Sequence, residues 1–221
     1  MAETRQQRRR AAAQARREPP KRPWLRRPYL LAGIAVGVIV VTAIYFVAGR
    51  GSPPPVSSAS DLAPAPSYAF HPAVGSIPCE STERVTYHVH AHLAVFVNGK
   101  PAGVPYGIGI AEPRQARNTA GGPFVASGSC FYWLHVHDDT GVIHVEAANR
   151  QTFTLGQFFD IWQQPLSASQ VGPQQGTVYA YLNGEKQTGD PRTIPLAAHN
   201  VIQLDVGQDT PPANYSFAPG L

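Results

Sequence analysis

The chain has 221 residues, with 18 Lys or Arg, 14 Asp or Glu, 22 prolines, two cysteines and a single methionine, Met1. Its formal charge of +4 arises at the N-terminal end: residues 1–28 hold ten basic and two acidic side chains, whereas from Gly51 onward seven basic residues face twelve acidic ones. The basic balance is therefore no argument for nucleic-acid binding, and the lone Met1 excludes a methionine-rich copper(I) site.

Residues 1–27 are rich in Arg, Gln and Ala and have no apolar face, which predicts a disordered basic tail. Pro28 to Gly49 is free of charge and bracketed by Arg27 and Arg50. At 1.5 Å per residue it is long enough to cross a hydrocarbon core of about 30 Å. The positive-inside rule then leaves the N-terminus in the cytoplasm and the rest of the chain outside, in a single pass. A cleaved signal peptide is the competing reading. It fits less well, because the apolar run exceeds the usual length and no convincing small-x-small cleavage site follows it before the Gly51-Ser52-Pro53 stretch. The lipid bilayer is thus the expected partner of residues 28–49. Gly33 and Gly37 form a GxxxG pattern that lets two helix backbones approach, which suits a homodimer.

Residues 50–78 read as a Pro-rich linker, with seven prolines between positions 51 and 78. Extended at about 3.1 Å per residue, it would hold a domain up to roughly 85 Å from the membrane. One extracytoplasmic domain is expected over 79–207, followed by a tail, 208–221. Cys79 and Cys130, both on the outer side, read as a disulfide. A thiolate metal ligand at Cys130 is the alternative.

Arg84 to Val97 alternates without a break. Val85, Tyr87, Val89, Ala91, Leu93, Val95 and Val97 form one face; Thr86, His88, His90, His92, Ala94 and Phe96 form the other. Such a period of two predicts a strand. Asn98-Gly99 then signals a hairpin, returning through Pro101 to Ile110. Residues 112–129 are polar, Gly-rich and loop-like. Leu134 to Glu146 reads as a second hairpin turning at Asp138, Asp139, Thr140 and Gly141. In that register His135 lies opposite His144 and Trp133 opposite Glu146, with His135, His137, His144 and Glu146 sharing one face.

Thr154 and Gln157 have the spacing of a capping box. Leu155, Phe158, Phe159 and Trp162 follow as an apolar helical stripe that Pro165 ends. Strands are predicted over 177–182, closed by Asn183-Gly184, and over 200–206. The expected class is α+β: a β-rich domain with one main helix, β-grasp-like in the strand order of its C-terminal half.

Six of the eight histidines fall in two strand segments: His88, His90 and His92, then His135, His137 and His144. Histidines at i and i+2 of a strand point the same way, and a third from a neighbouring strand completes a facial set of the kind Zn²⁺ takes. Cu²⁺ also accepts imidazole. Glu146, Asp138 and Asp139 are candidates for ligands, for orienters of His N–H groups, or for a general base. The function expected is binding of Zn²⁺ or Cu²⁺ for sequestration, delivery or sensing. A metal-free, pH-responsive His face that docks a cell-envelope partner is the first alternative, and a metal-dependent hydrolase the second.

Known enzyme motifs do not carry over. His135-Val-His137-Asp-Asp139 overlaps the HxHxDH pattern of metallo-β-lactamase-fold hydrolases, but Thr140 stands at the position of the last His. About 140 residues are too few for a TIM barrel, and HExxH, GxSxG and phosphate-loop patterns are absent. The segments YHVHAHLAVFVNG, LHVHDDTGVIHVE and FTLGQFF together resemble a group of poorly characterised prokaryotic proteins anchored by one N-terminal helix. The resemblance spans roughly residues 80–206. It implies the same domain limits and brings no established activity.

Overall fold

The computed structural model describes residues 60–68 and 71–221. The basic tail, the apolar segment 28–49 with Gly33 and Gly37, and the start of the Pro-rich stretch lie outside the described residues. Among the described residues no helix is long and apolar enough to cross a membrane.

The domain is mostly β, with one α-helix, α1 (Leu155–Trp162). Before the helix come β1 (Cys79–Glu80), β2 (Tyr87–Val97), β3 (Lys100–Ala102), β4 (Gln115–Thr119), β5 (Gly122–Ser127), β6 (Phe131–Tyr132), β7 (Leu134–His135), β8 (Val142–Ala147) and β9 (Phe153–Thr154). After it come β10 (Leu166–Ser167), β11 (Gln170–Val171), β12 (Gln174–Gln175), β13 (Val178–Leu182), β14 (Glu185–Gln187), β15 (Pro195–Leu196) and β16 (Val201–Val206). The main sheet runs β14-β13-β16-β2-β8-β7, with β3 also on β2. All its pairings are antiparallel except β16 with β2.

The alternating pattern of β2 explains its central place. Ala91, Leu93 and Val95 enter the core beside Ile143 and Val145 of β8, Leu134 of β7, and Ile202 and Leu204 of β16. Against them α1 sets Leu155, Phe158, Phe159 and Trp162, all fully buried. The capping box is formed: Thr154 Oγ1 accepts the Gln157 N–H and Gln157 Oε1 accepts the Thr154 N–H. The helix stops at Gln163, a left-handed residue, before Pro165 is reached. Both Asn-Gly pairs turn hairpins, with Asn98 and Gly99, and Asn183 and Gly184, all at positive φ. This is the backbone that a two-residue hairpin loop requires.

Several expectations are corrected. The first strand starts at Tyr87 rather than Arg84, because its partner β8 ends at Ala147 opposite Tyr87, and Val85 is exposed. The return strand after Gly99 stops at Ala102 instead of reaching Ile110; the Gly103 N–H and carbonyl turn to Ser60 and Leu62. The segment 112–129 is not a plain loop, since β4 and β5 pair within it.

The latter part of the Pro-rich linker is not a free spacer either. Leu62, Ala63, Tyr68 and Ile77 belong to the core. Tyr68 donates its hydroxyl proton to the Ile161 carbonyl and accepts the Gly109 N–H, and Trp162 Nε1 donates to the Pro64 carbonyl. Prolines forbid regular structure here but not packing, since their carbonyls still accept. The tail, too, lies on the domain. The Thr210 N–H donates to Asp205 and the Ala213 N–H to Gln203, two buried polar side chains of β16.

Cys79 and Cys130 are bonded, with Cα atoms 5.5 Å apart and a separation of 51 positions in sequence. The bond ties β1 to the chain just before β6, the strand with which β1 pairs. Closing a loop of this length stabilises by about 4 kcal/mol on the loop-entropy argument. Cys79→Ala/Cys130→Ala is therefore expected to lower the unfolding free energy by about that amount in urea; an unchanged midpoint would contradict it.

Candidate metal centre

The register of three strands assembles the site. His90 lies opposite His144 and His88 opposite Glu146 across β2 and β8. His135 lies opposite His144 across β7 and β8, as the hairpin pattern predicts. All face away from the core. His137, two residues beyond His135, keeps the same side. The turn that follows is held by Asp138, whose carboxylate accepts the Thr140 N–H. Asp138 is thus a turn residue and Asp139 is exposed; neither joins the histidines.

The segment before β6 makes room for this arrangement. Gly109 has φ +75°, and a Cβ there would sit 2.3 Å from the Leu134 carbonyl oxygen and 2.8 Å from His135 Cβ. Only glycine lets this backbone lie so close to β7. The β4–β5 hairpin closes over His137: the Val125 N–H donates to the His137 carbonyl, and Phe124 stacks on the imidazole at 4.9 Å and 5°. His90, His135 and His137 are all at most 6 % exposed.

Five imidazoles converge. His88 Nε2 and His90 Nε2 are 3.0 Å apart, and His90 Nε2 and His144 Nδ1 are 3.2 Å apart. His135 Nε2 and His137 Nε2 are 3.1 Å apart. Their donor atoms group into two triads, His88–His90–His144 and His135–His137–His144, each within 4.8 Å. A tetrahedral ion with Zn–N bonds of 2.0–2.1 Å would set neighbouring nitrogens about 3.4 Å apart.

The tautomers sharpen this. His135 Nδ1 lies 2.9 Å from the Tyr132 carbonyl oxygen, and His137 Nδ1 lies 2.6 Å from that of Val125. A carbonyl only accepts, so each Nδ1 donates its N–H. In the neutral rings both Nε2 atoms are then bare lone pairs facing each other. Metal-binding histidines carry this signature: one ring nitrogen donates to a backbone carbonyl and the other is left for the ion.

Two carboxylates complete the set. Glu146 Oε1 is 3.0 Å from His88 Nε2 and 3.4 Å from His144 Nδ1. Its Oε2 is buried without a partner. Glu83 Oε1 is 3.2 Å from His137 Nε2 and 3.7 Å from His135 Nε2. Glu83 is absent from the predicted set. It sits in the loop before β2, where strand alternation says nothing; only its nearness in sequence to Cys79 hinted at a fixed position.

His92 stands apart. Its Nε2 donates to the Thr140 carbonyl and Tyr215 stacks on its ring at 3.5 Å, while Nδ1 has no partner. The cause is position: His92 lies two rungs past His90, opposite Val142 at the end of β8 nearest the turn. No thiolate is available, since both cysteines are in the disulfide.

Burial and the neighbouring imidazoles disfavour the charged form of His90, His135 and His144. Burial, with His144 and His88 beside it, pushes His90 down to about 4. Burial, with His137 and His144, pushes His135 down to about 3. Burial lowers His92 to about 4 and lowers His144 as well. Burial alone would raise Glu146, but the His144 hydrogen bond and the surrounding imidazoles hold it below the usual carboxylate range. Glu83 is raised, by burial first and then by the Glu146 charge.

No known protein family, curated protein or solved structure matches the chain.

A pH dependence follows for the metal-free protein. The unfolded chain protonates these histidines near pH 6.5, whereas the folded chain resists until about 4 or 3. The unfolded state thus binds more protons in that window, so stability is full above pH 6.5 and falls as pH drops. The loss approaches 1.4 kcal/mol per pH unit for each fully buried histidine, or roughly that. Urea midpoints at pH 7.5, 6 and 5 are expected to fall in that order; a flat series would contradict this.

Proposed function

We propose that this domain binds a divalent transition metal, Zn²⁺ or Cu²⁺, for sequestration, delivery or sensing outside the cytoplasmic membrane. The observation that supports it most is the approach of the buried His135 and His137 rings, Nε2 to Nε2 at 3.1 Å, with each Nδ1 held by a backbone carbonyl. Two acceptors held face to face repel, and a cation between them turns that repulsion into two bonds. Imidazole and carboxylate without thiolate suit Zn²⁺ and Cu²⁺.

Burial weighs against the alternative of a pH-responsive docking face. Of the five converging histidines, His88 is the one left exposed, so the face has little surface to offer a partner. The disulfide fits an oxidising compartment. Residues 28–49 would tether the domain there, with the basic N-terminus in the cytoplasm.

The test uses the full-length chain purified in detergent, loaded with Zn²⁺ or Cu²⁺ and desalted. Elemental analysis is expected to find one ion or more per chain. With free metal at 100 times Kd, unfolding should be opposed by about 2.7 kcal/mol. Replacing His88, His90, His135 and His137 together by Ala should abolish retention. A wild-type chain that emerges metal-free from both loadings would refute the proposal.

A further inference from the structure

Five histidines and two glutamates are more donors than one ion takes. Tetrahedral Zn²⁺ uses four, and the imidazoles form two triads rather than one set of five. The carboxylates are divided in the same way. Glu83 reaches the His135–His137 pair. Glu146 Oε1 reaches His88 and His144. Glu146 also groups with His135 and Glu83, within 4.8 Å. It stands between the two halves with one oxygen engaged and the other, Oε2, buried and unpartnered.

We infer that the site is dinuclear, holding two divalent cations bridged by the Glu146 carboxylate. The first ion takes His88 Nε2, His90 Nε2, His144 Nδ1 and Glu146 Oε1. The second takes His135 Nε2, His137 Nε2, Glu83 and Glu146 Oε2. The orphaned oxygen thereby gains a partner, which a buried carboxylate needs. His144, a member of both triads, keeps the two ions close, at the 3.5–4 Å or so typical of two-metal sites. The ions enter where the site meets solvent, at His88 and Glu83, whose side chains are each 35 % exposed. This inference rests on the metal-binding reading, and its test separates the two.

The full-length chain is loaded with Cu²⁺, desalted, and measured for copper content and by electron paramagnetic resonance. Two ions per chain are expected, with spin coupling between them. His88→Ala/His90→Ala and His135→Ala/His137→Ala should each retain one ion with the spectrum of an isolated Cu²⁺. That remaining ion also shows that the variant has folded. Glu146→Gln, which removes one bridging oxygen, should weaken the exchange coupling or lower the copper content to one ion per chain. Should a paired variant fail to fold by circular dichroism, the wild-type stoichiometry and coupling decide alone. One ion per chain in the wild type overturns the dinuclear site and leaves metal binding standing; none overturns both. Two uncoupled ions, or copper content and exchange coupling both unchanged in Glu146→Gln, overturn the Glu146 bridge.

Discussion

The pairing of β2 with β8 places His90 opposite His144 and Ala91 opposite Ile143. Side chains alternate strictly along a strand, so a slip of one residue would put every imidazole into the core and every core aliphatic out of it. The apolar face holds this register in place. Ala91, Leu93, Ile143 and Val145 are fully or almost fully buried against α1 and its neighbours. The imidazole-bearing side is thus positioned by hydrophobic packing on the opposite side of the same strands. The extra pairing of β7 with β8 adds His135 to the same rung.

Burying imidazoles and a carboxylate is unfavourable unless their polar atoms are satisfied. The domain meets this demand only in part. Tyr132 and Val125 supply carbonyls to two histidines, yet Glu146 Oε2 is left without a partner. Meanwhile the Nε2 atoms of His135 and His137 face each other at contact distance. Arrangements of this kind are suited to a bound cation.

The second layer is assembled from segments with little regular structure. The β4–β5 hairpin lays Phe124 on His137, and the C-terminal segment lays Tyr215 on His92. The Pro-rich segment from Ser60 onward straps the far side through Leu62 and Tyr68. Irregular chain can serve here because its backbone groups find side-chain partners: Trp162 and Tyr132 on the strap, Gln203 and Asp205 under the tail.

Local chemistry made much of this legible in the amino-acid sequence alone. The period of two in β2, the Asn-Gly hairpins, the Thr154 capping box, the His135–His144 register and the cysteine pair all depend on neighbours within a few residues or on simple alternation. Which histidines meet was not settled at that level. Alternation put His92 on the same face as His88 and His90, but only the extent of β8 and the stacking of Tyr215 separate it from them. Asp138 and Asp139 flank the histidines in sequence, yet the turn claims one and solvent the other. Glu83, Phe124 and the strap residues carry no periodic signal, because they lie in loops or short strands whose positions are set by distant partners. The sequence by itself determined two strand faces, one apolar and one rich in imidazole. The tertiary structure decided that the imidazole faces of β2, β7 and β8 are one face, since only long-range pairing brings residues some fifty positions apart onto the same rung.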